Sequence, residues 1–275
     1  MSLTLFTSPK PFEGKIGVIQ RNAIHSWRLL DPDCEVILFG NDNGTADVAR
    51  ELSLRHLPNV ACNEFGTPRL DDLFQQAQRE ARHEILCYVN ADIILLSDFP
   101  PAVEHVSAGA QGFLMIGRRV DFDLEGTLSF EGEWEKTLRD ELRIRGALHI
   151  PQGIDYFVFR RGTLEGIPPF ALGRTVWDNW LIYHALDRRM RVIDVTPTVT
   201  AVHQNHDYNH EQGKTGIWQG PEARQNRELA GRWPRVYDLR NAGWILTRFG
   251  LLPAITPERA FRRFALWLRH GLWVR

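Results

Sequence analysis

Residues 84–94 read EILCYVNADII, and this stretch decides the fold. An apolar run over 85–89 stops abruptly at Asn90-Ala91-Asp92, after which apolar residues resume. A continuous apolar run of this length predicts a strand buried on both faces of an α/β sheet. Ligands of such sheets bind beyond the carboxyl ends of the strands, which is where Asp92 falls. Because an unpaired carboxylate is costly to bury, we expect a divalent cation or a sugar hydroxyl as its partner.

Strands and helices alternate through the first half of the chain. Thr67 suits a helix N-cap and Pro68 the first helical position, which predicts a helix that opens at Thr67. Short connections between alternating elements imply right-handed crossovers and a mainly parallel sheet. The predicted elements of this half are strands at 3–6, 35–39 and 85–89 and helices at 16–30, 45–54 and 67–82.

The second half of the chain is more mixed. A polar stretch over 207–233, rich in Gly, Gln and Asn, is typical of a loop. The stretch 259–275 carries five arginines and no acidic residue, and its apolar residues recur at helical spacing, which predicts a basic amphipathic helix. The other predicted elements are strands at 112–116, 156–159, 192–195 and 199–202 and helices at 131–145 and 177–188.

The composition is that of an ordinary soluble globular protein, with 275 residues, 43% hydrophobic and 24% charged. A formal net charge of −1 gives no reason to expect a nucleic acid partner. The three scattered cysteines, Cys34, Cys62 and Cys87, predict free thiols in a reducing compartment. The N-terminal residues lack the features of a signal peptide, and no apolar run is long enough to span a bilayer. We therefore expect a cytoplasmic protein.

At Asn90-Ala91-Asp92 the chain resembles the GT-A class of nucleotide-sugar glycosyltransferases, whose central strand ends in an Asp-x-Asp motif. In that class the last carboxylate of the motif binds a divalent metal, which holds the diphosphate of the donor. Asp92 matches this position, whereas Asn90 departs from the usual first Asp and contributes no charge. The resemblance implies that Asn90, Ala91 and Asp92 contact the donor. The alternative is that Asp92 only caps the turn after the strand.

His203 ends a predicted strand late in the chain. Many GT-A enzymes supply a late His as a second metal ligand, so the resemblance implies that Asp92 and His203 bind Mn²⁺ or Mg²⁺. Two alternatives stay open at this point. In one, His206, Asp207 and His210 join His203 in a zinc site, and in the other this stretch is a polar loop that satisfies its own backbone.

Asp178, at the start of a predicted helix, resembles the acidic motif that supplies the catalytic base of inverting GT-A enzymes. Such a base takes the proton of the acceptor hydroxyl during attack on the anomeric carbon. Trp177 departs from the Glu common in that motif, and Trp177, Asn179 and Asp155 are the implied sugar and acceptor contacts. Asp178 could instead be a helix cap, with a pKa that the helix dipole lowers. Asp155, which follows Gly153, could belong to a strand-initiating turn.

The candidate nucleotide contacts lie at the ends of the first two predicted strands and near the helix starts. Thr7, Arg21, Asn41 and Asp42 are candidates, and Thr67 opens a helix whose N-terminus can hold an anion. Each of these residues could instead be an ordinary turn or surface residue.

The sequence therefore predicts a Rossmann-like GT-A α/β fold, with a mainly parallel central sheet flanked by helices and a helical C-terminal extension. We expect a catalytic domain over 1–235, made of a nucleotide-binding half (1–110) and an acceptor-binding half (111–235), and an extension over 236–275. The basic helix at 259–275 either packs on the domain or lies on anionic lipid, at the inner face of the membrane.

The activity that the resemblance implies is metal-dependent transfer of a sugar, with inversion, from a nucleotide-diphosphate donor. The acceptor is a hydroxyl of a glycan, a lipid-linked molecule or a small molecule. One alternative is a nucleotidyltransferase acting on sugar phosphates, but the sequence TSPKP at 7–11 lacks the glycines that usually follow its first strand. The other is a non-catalytic nucleotide-sugar-binding module, which Asn90 favours.

Overall fold

A computed structural model of the protein describes residues 2–206, 218–231, 237–261 and 264. Its strands are β1 (Leu3–Thr7), β2 (Glu35–Phe39), β3 (Arg55–Leu57), β4 (Ile85–Val89), β5 (Ile93–Leu95), β6 (Phe113–Ile116), β7 (Arg119–Phe122), β8 (Ala147–Leu148), β9 (Tyr156–Arg160), β10 (Arg191–Asp194), β11 (Ala201–Gln204), β12 (Trp244–Thr247) and β13 (Gly250–Pro253). The α-helices are α1 (Gly14–Arg28), α2 (Thr45–Glu51), α3 (Leu70–Glu80), α4 (Phe99–Gly109), α5 (Trp134–Arg145), α6 (Trp177–Asp187) and α7 (Pro221–Leu229).

The strands form two sheets. The large sheet has the order β13-β12-β10-β6-β9-β4-β1-β2-β3, and the small sheet has the order β5-β11-β7-β8. In the large sheet β9 and β13 run against the other strands, which are mutually parallel. The prediction of a mainly parallel α/β sheet flanked by helices is confirmed.

β4 lies in the middle of the large sheet and is buried along its whole length. Leu86 and Tyr88 pack into the hydrophobic core on one face, whereas Ile85, Cys87 and Val89 pack into the core on the other. Because side chains alternate between the faces of a strand, a sheet covered on both faces requires an uninterrupted apolar run. The run at 85–89 therefore has the cause that the sequence suggested.

The predicted cap of α3 is wrong. The helix begins at Leu70, three residues after Thr67, and its N-cap is Arg69 in an extended conformation. The preceding backbone is held in β-bridges, Pro68 to Cys62 and Arg69 to Ala171, so it cannot enter the helix at Thr67. Tertiary pairing has overridden a favourable local capping sequence.

The predicted helical extension is wrong for 244–253. These residues form β12 and β13, and β12 pairs in parallel with β10, so the large sheet continues past the expected boundary at 235. Helical residues follow at 257–261, and most of the predicted basic helix lies outside the described residues. The predicted loop at 207–233 contains α7, and α4 has no counterpart among the predicted elements. No helix in the described ranges is long and apolar enough to span a bilayer.

Candidate active site

The turn at 90–92 is the corner at which the chain leaves the large sheet. β4 ends in the large sheet and β5 begins at Ile93 in the small sheet, with Ala91 half-buried between them. His203 of β11 pairs with Ile93 on one side and with Asp121 of β7 on the other. This strand register brings together side chains that are far apart in sequence.

Asp92, His203 and His206 form a cluster of potential metal ligands. Asp92 Oδ2 lies 3.5 Å from His203 Nε2 and 3.3 Å from His206 Nε2. Ligand atoms of the three residues all lie within 4.8 Å of one another. Asp92 Oδ1 is buried and has no hydrogen-bond partner within the part of the chain that the structure describes. A divalent cation satisfies such an oxygen beside two imidazole nitrogens, so these residues fit a metal.

The histidines also control the charge of Asp92. Burial by itself favours the neutral acid, but His203 and His206 hold the pKa of Asp92 well below its usual range. Burial likewise disfavours a charged His203, yet the charge and hydrogen bond of Asp92 outweigh this effect and raise the pKa of His203. The carboxylate is therefore ionised at neutral pH, and a cation that binds here competes with a proton on the imidazole.

Asn90 is held between two neighbours at the same corner. Its Oδ1 accepts a hydrogen bond from the Tyr88 hydroxyl at 2.9 Å, and its Nδ2 donates to Asp155 Oδ1 at 2.8 Å. A carboxylate at position 90 would stand at hydrogen-bond distance from the carboxylate of Asp155, and the two like charges would repel. The amide therefore suits this site better than the acid of the usual motif. Contact of Asn90 with a donor remains a prediction.

Asp155 is a buried carboxylate whose charge is balanced by Arg119. Asp155 Oδ2 accepts a hydrogen bond from Arg119 Nη1 at 2.8 Å, and Arg119 Nε donates to Asp121 Oδ1 at 2.9 Å. Together with the bond from Asn90, both oxygens of Asp155 are engaged by protein donors. Orientation of sugar hydroxyls by Asp155 remains a prediction.

Asp178 has an electrostatic environment opposite to that of Asp92. It lies in the first turn of α6, two residues after the N-cap Val176. Burial raises the pKa of Asp178 to about 7, the N–H of Asn179 opposes this shift, and the nearby charge of Asp155 adds to it. The expected lowering by the helix dipole is therefore wrong in direction, because the loss of water outweighs the dipole. A carboxyl group with this pKa is suited to general-base work at neutral pH.

The two residues that flank the candidate base contact other parts of the protein. Trp177 is 4% exposed, and its ring lies against Tyr88 and Phe157 at centroid distances of 5.4 Å and 5.6 Å. This burial favours packing over the predicted sugar contact. Asn179 Nδ2 donates to the backbone carbonyl of Gln152 at 3.2 Å, which ties α6 to the segment before β9.

The candidate nucleotide contacts divide into two groups. Thr7 ends β1, is fully buried, and its hydroxyl has no partner among the described residues. Asp42 follows the adjacent β2, and burial raises its pKa. Arg21 instead pairs with Glu51 at 2.5 Å, and Thr67 lies outside α3, three residues before the helix begins. Thr7 and Asp42 thus lie at neighbouring carboxyl ends of parallel strands, where ligands of such sheets bind.

The sequence analysis does not identify three further residues of this site, Arg119, Asp121 and His149. Asp121 Oδ2 lies 2.5 Å from His149 Nδ1, and Asp121 Oδ1 lies 3.3 Å from His203 Nδ1. Their spacing was a signal that the sequence offered. Arg119 and Asp121 are two residues apart on a short strand, so their side chains lie on the same face. His206 entered only the zinc alternative, whose Asp207 and His210 lie outside the described residues.

No family model matches the sequence, and no curated protein matches it. The structure is similar to a crystal structure of S. aureus TarS 1-349 in complex with UDP-GlcNAc, with a TM-score of 0.51, 13% identity and coverage of 75% of this chain. It is also similar to M. tuberculosis glucosyl-3-phosphoglycerate synthase, with a TM-score of 0.49, 16% identity and coverage of 86% of this chain and 80% of that one.

The chain spans 59% of the TarS chain that it matches. At 13% identity this likeness shows the fold alone, and it confirms the predicted GT-A fold, while the role of Asn90-Ala91-Asp92 as the donor motif remains a prediction. The chain therefore has a Rossmann-like α/β fold, and the corner at Asp92 follows its central strand β4.

Proposed function

We propose that this protein transfers a sugar from a nucleotide-diphosphate donor to an acceptor hydroxyl, with a divalent metal and with inversion. The observation that carries the proposal is the Asp92–His203–His206 cluster, in which the buried Asp92 Oδ1 has no hydrogen-bond partner among the described residues. It stands at the carboxyl end of β4 in the middle of a largely parallel sheet, where a phosphate-bearing ligand is expected.

Asp92, His203 and His206 would hold the cation, and Mn²⁺ suits this donor set better than Mg²⁺ because imidazole is a poor ligand for Mg²⁺. When bound, the metal supplies Lewis-acid neutralisation of the charge that develops on the departing diphosphate. The unpartnered Thr7 hydroxyl and the carboxyl of Asp42 support a nucleoside site beside it.

Asp178 is the proposed catalytic base. As the acceptor oxygen attacks the anomeric carbon, its proton passes to Asp178 and the bond from that carbon to the diphosphate oxygen breaks. The pKa of about 7 supports this role, because the group is substantially ionised at neutral pH and still basic enough to take a proton. The pair of Asp178 with Asp155, balanced by Arg119, is the source of part of that basicity.

The test is a thermal-shift screen of nucleotide sugars with and without Mn²⁺, followed by assays of sugar transfer and nucleoside diphosphate release. A ligand that binds only the folded protein raises the melting temperature. We expect a metal-dependent shift for a nucleotide sugar in the wild type and none in Asp92→Ala, while Asp140→Ala at an exposed position of α5 behaves as the wild type. A wild-type shift retained in Asp92→Ala would contradict the proposal.

The same assays separate the two alternatives. Release of pyrophosphate from a nucleoside triphosphate and a sugar phosphate would identify a nucleotidyltransferase. Tight binding of a nucleotide sugar without hydrolysis or transfer, with and without Mn²⁺, would identify a binding module. A carboxyl group of raised pKa suits a base for an acceptor hydroxyl, which is why we place sugar transfer first.

We also propose that the C-terminal segment contacts anionic lipid. Of the eleven large hydrophobic side chains that are exposed in the described ranges, five lie within a short stretch, Phe249, Leu252, Ile255, Phe261 and Phe264. Residues 248–275 contain six arginines and one glutamate, which gives them a net charge of +5. Because the whole chain has a net charge of −1, residues 1–247 carry −6. Basic charge combined with exposed apolar side chains suits the surface of an anionic bilayer. A second copy that docked through the same segment would meet it with the same positive charge.

Liposome co-sedimentation tests this contact. We expect the full chain to pellet with vesicles that contain phosphatidylglycerol and to stay in the supernatant with phosphatidylcholine alone. Replacement of Phe249, Ile255 and Phe261 by Ser should abolish binding, whereas the same change at Leu29 and Phe65, which are also exposed, should not. Equal binding by both variants, or none by the wild type, would reject a lipid contact.

A further inference from the structure

The carboxylate of Asp121 lies behind the candidate metal cluster, on the side away from Asp92. His203 presents Nε2 to Asp92 Oδ2 at 3.5 Å, while its other ring nitrogen, Nδ1, lies 3.3 Å from Asp121 Oδ1. We propose that Asp121 is a positioning residue that fixes the tautomer and the ring orientation of His203 for metal binding. This inference rests on the metal-dependent function proposed above.

The chemistry follows from how imidazole binds a cation. A histidine that offers one ring nitrogen to a metal carries its proton on the other, and a carboxylate that accepts this proton makes the ring a better ligand. Asp121 stands at the position where that acceptor is required. The parallel pairing of Asp121 with His203 in the small sheet sets the two side chains opposite each other.

Asp121 is itself held in place from two directions. Arg119 Nε donates to Asp121 Oδ1 at 2.9 Å, and His149 Nδ1 lies 2.5 Å from Asp121 Oδ2. The His149 ring packs against Gly153 so closely that a Cβ at that position would overlap it. The carboxylate therefore has little freedom to turn away from His203, as a positioning role requires.

Asn205 provides a competing acceptor. Its Oδ1 makes a hydrogen bond with His203 Nδ1 at 3.3 Å, whereas Asp121 Oδ1 makes an ion-pair contact with the same nitrogen at the same distance, so Asn205 can partly replace Asp121 in a single variant. Asp123 provides a matched control, because it is an acid two residues after Asp121. Its Oδ1 accepts a hydrogen bond from Asn205 Nδ2 at 2.9 Å. These two neighbours define the variants that the experiment needs.

The experiment measures Mn²⁺ affinity of the full chain by electron paramagnetic resonance, with no nucleotide present. We expect the double variant Asp121→Ala with Asn205→Ala to weaken Mn²⁺ binding by about 10- to 100-fold, and Asp121→Ala alone to weaken it measurably but less, because Asn205 remains as an acceptor. Asp121→Asn, whose amide oxygen can still accept the His203 proton, should retain more affinity than Asp121→Ala. Asp123→Ala should bind as the wild type does, and melting curves should show that each variant folds.

Wild-type affinity in the folded double variant, or absence of Mn²⁺ binding by the wild type, would overturn the role of Asp121. An equal loss in Asp121→Asn and Asp121→Ala would also count against it, because an acceptor oxygen is what the role requires. If Mn²⁺ affinity falls in the expected order but the wild type transfers no sugar, the inference stands and the proposed function fails.

Discussion

The regions around Asp92 and Asp178 each contain a carboxyl group, but they shift its pKa in opposite directions. Two imidazoles surround Asp92 and hold its pKa well below the usual range, although burial opposes them. Asp178 has no such cation beside it, and burial together with the charge of Asp155 raises its pKa to about 7. Environments that separate the pKa values of two carboxyl groups assign them different tasks.

The difference has a structural origin. The corner between β4 and β5 places Asp92 opposite β11, which carries His203. Asp178 belongs to α6, where the helix supplies backbone N–H groups, and the nearby guanidinium of Arg119 is committed to Asp155 and Asp121. Asp92 and Asp178 are the same residue type, but their neighbours differ. The neighbours of Asp92 suit a metal ligand, whereas those of Asp178 suit a base.

The largest expected effect is on kcat for sugar transfer, when Asp178 is replaced by Asn. We expect Asp178→Asn to lower kcat for sugar transfer by about 10³-fold, since a general base contributes 10²–10⁴, while donor and Mn²⁺ binding persist. In the wild type, kcat should rise with pH through about 7, because the ionised form is the active base. Steady-state kinetics from pH 5 to 9 and Mn²⁺ titration of the variant measure this. Loss of Mn²⁺ binding in Asp178→Asn would erase the distinction between the two regions.

A smaller effect is expected where the two regions meet, at Asn90. Asn90→Asp replaces a hydrogen bond to Asp155 with a contact between like charges, so we expect it to destabilise the fold by about 1–3 kcal/mol at pH 7. Urea unfolding measures the change, and Asn59→Asp at an exposed position serves as the control. Unchanged stability in Asn90→Asp would mean that the bond between Asn90 and Asp155 does not hold the corner together.

The smallest expected effect is a gain in stability that depends on pH. The folded pKa of Asp178 lies above its ordinary value of 3.8, so the folded state holds this proton more tightly and loses stability as pH rises toward about 7. Asp178→Asn removes that loss. Its melting temperature should exceed that of the wild type by a few degrees at pH 8, and the difference should shrink as pH falls and vanish below about pH 4, where Asp178 is protonated in both states. Equal melting temperatures at pH 8 would indicate that Asp178 is not desolvated.

Parts of this site could be predicted because the signals are local. The apolar run before Asn90 predicts a strand buried on both faces, and the core packing of β4 confirms it. The acid after that strand and the late His203 follow from the resemblance to the GT-A class, whose fold the structural comparison confirms. The start of α3 could not be predicted, because bridges to Cys62 and Ala171 decide it and neither partner is adjacent in sequence.

By itself, the sequence determined the alternation of the main strands and helices up to residue 89, the buried central strand and the carboxylate that follows it. Periodicity and a change of polarity are local properties, and the chain carries them wherever it folds. Only the tertiary structure decided that Asp121 stands behind His203, that His206 joins Asp92, and that Asp178 loses enough water to hold its proton. Such contacts depend on strand register and on burial, which arise when distant segments of the chain meet.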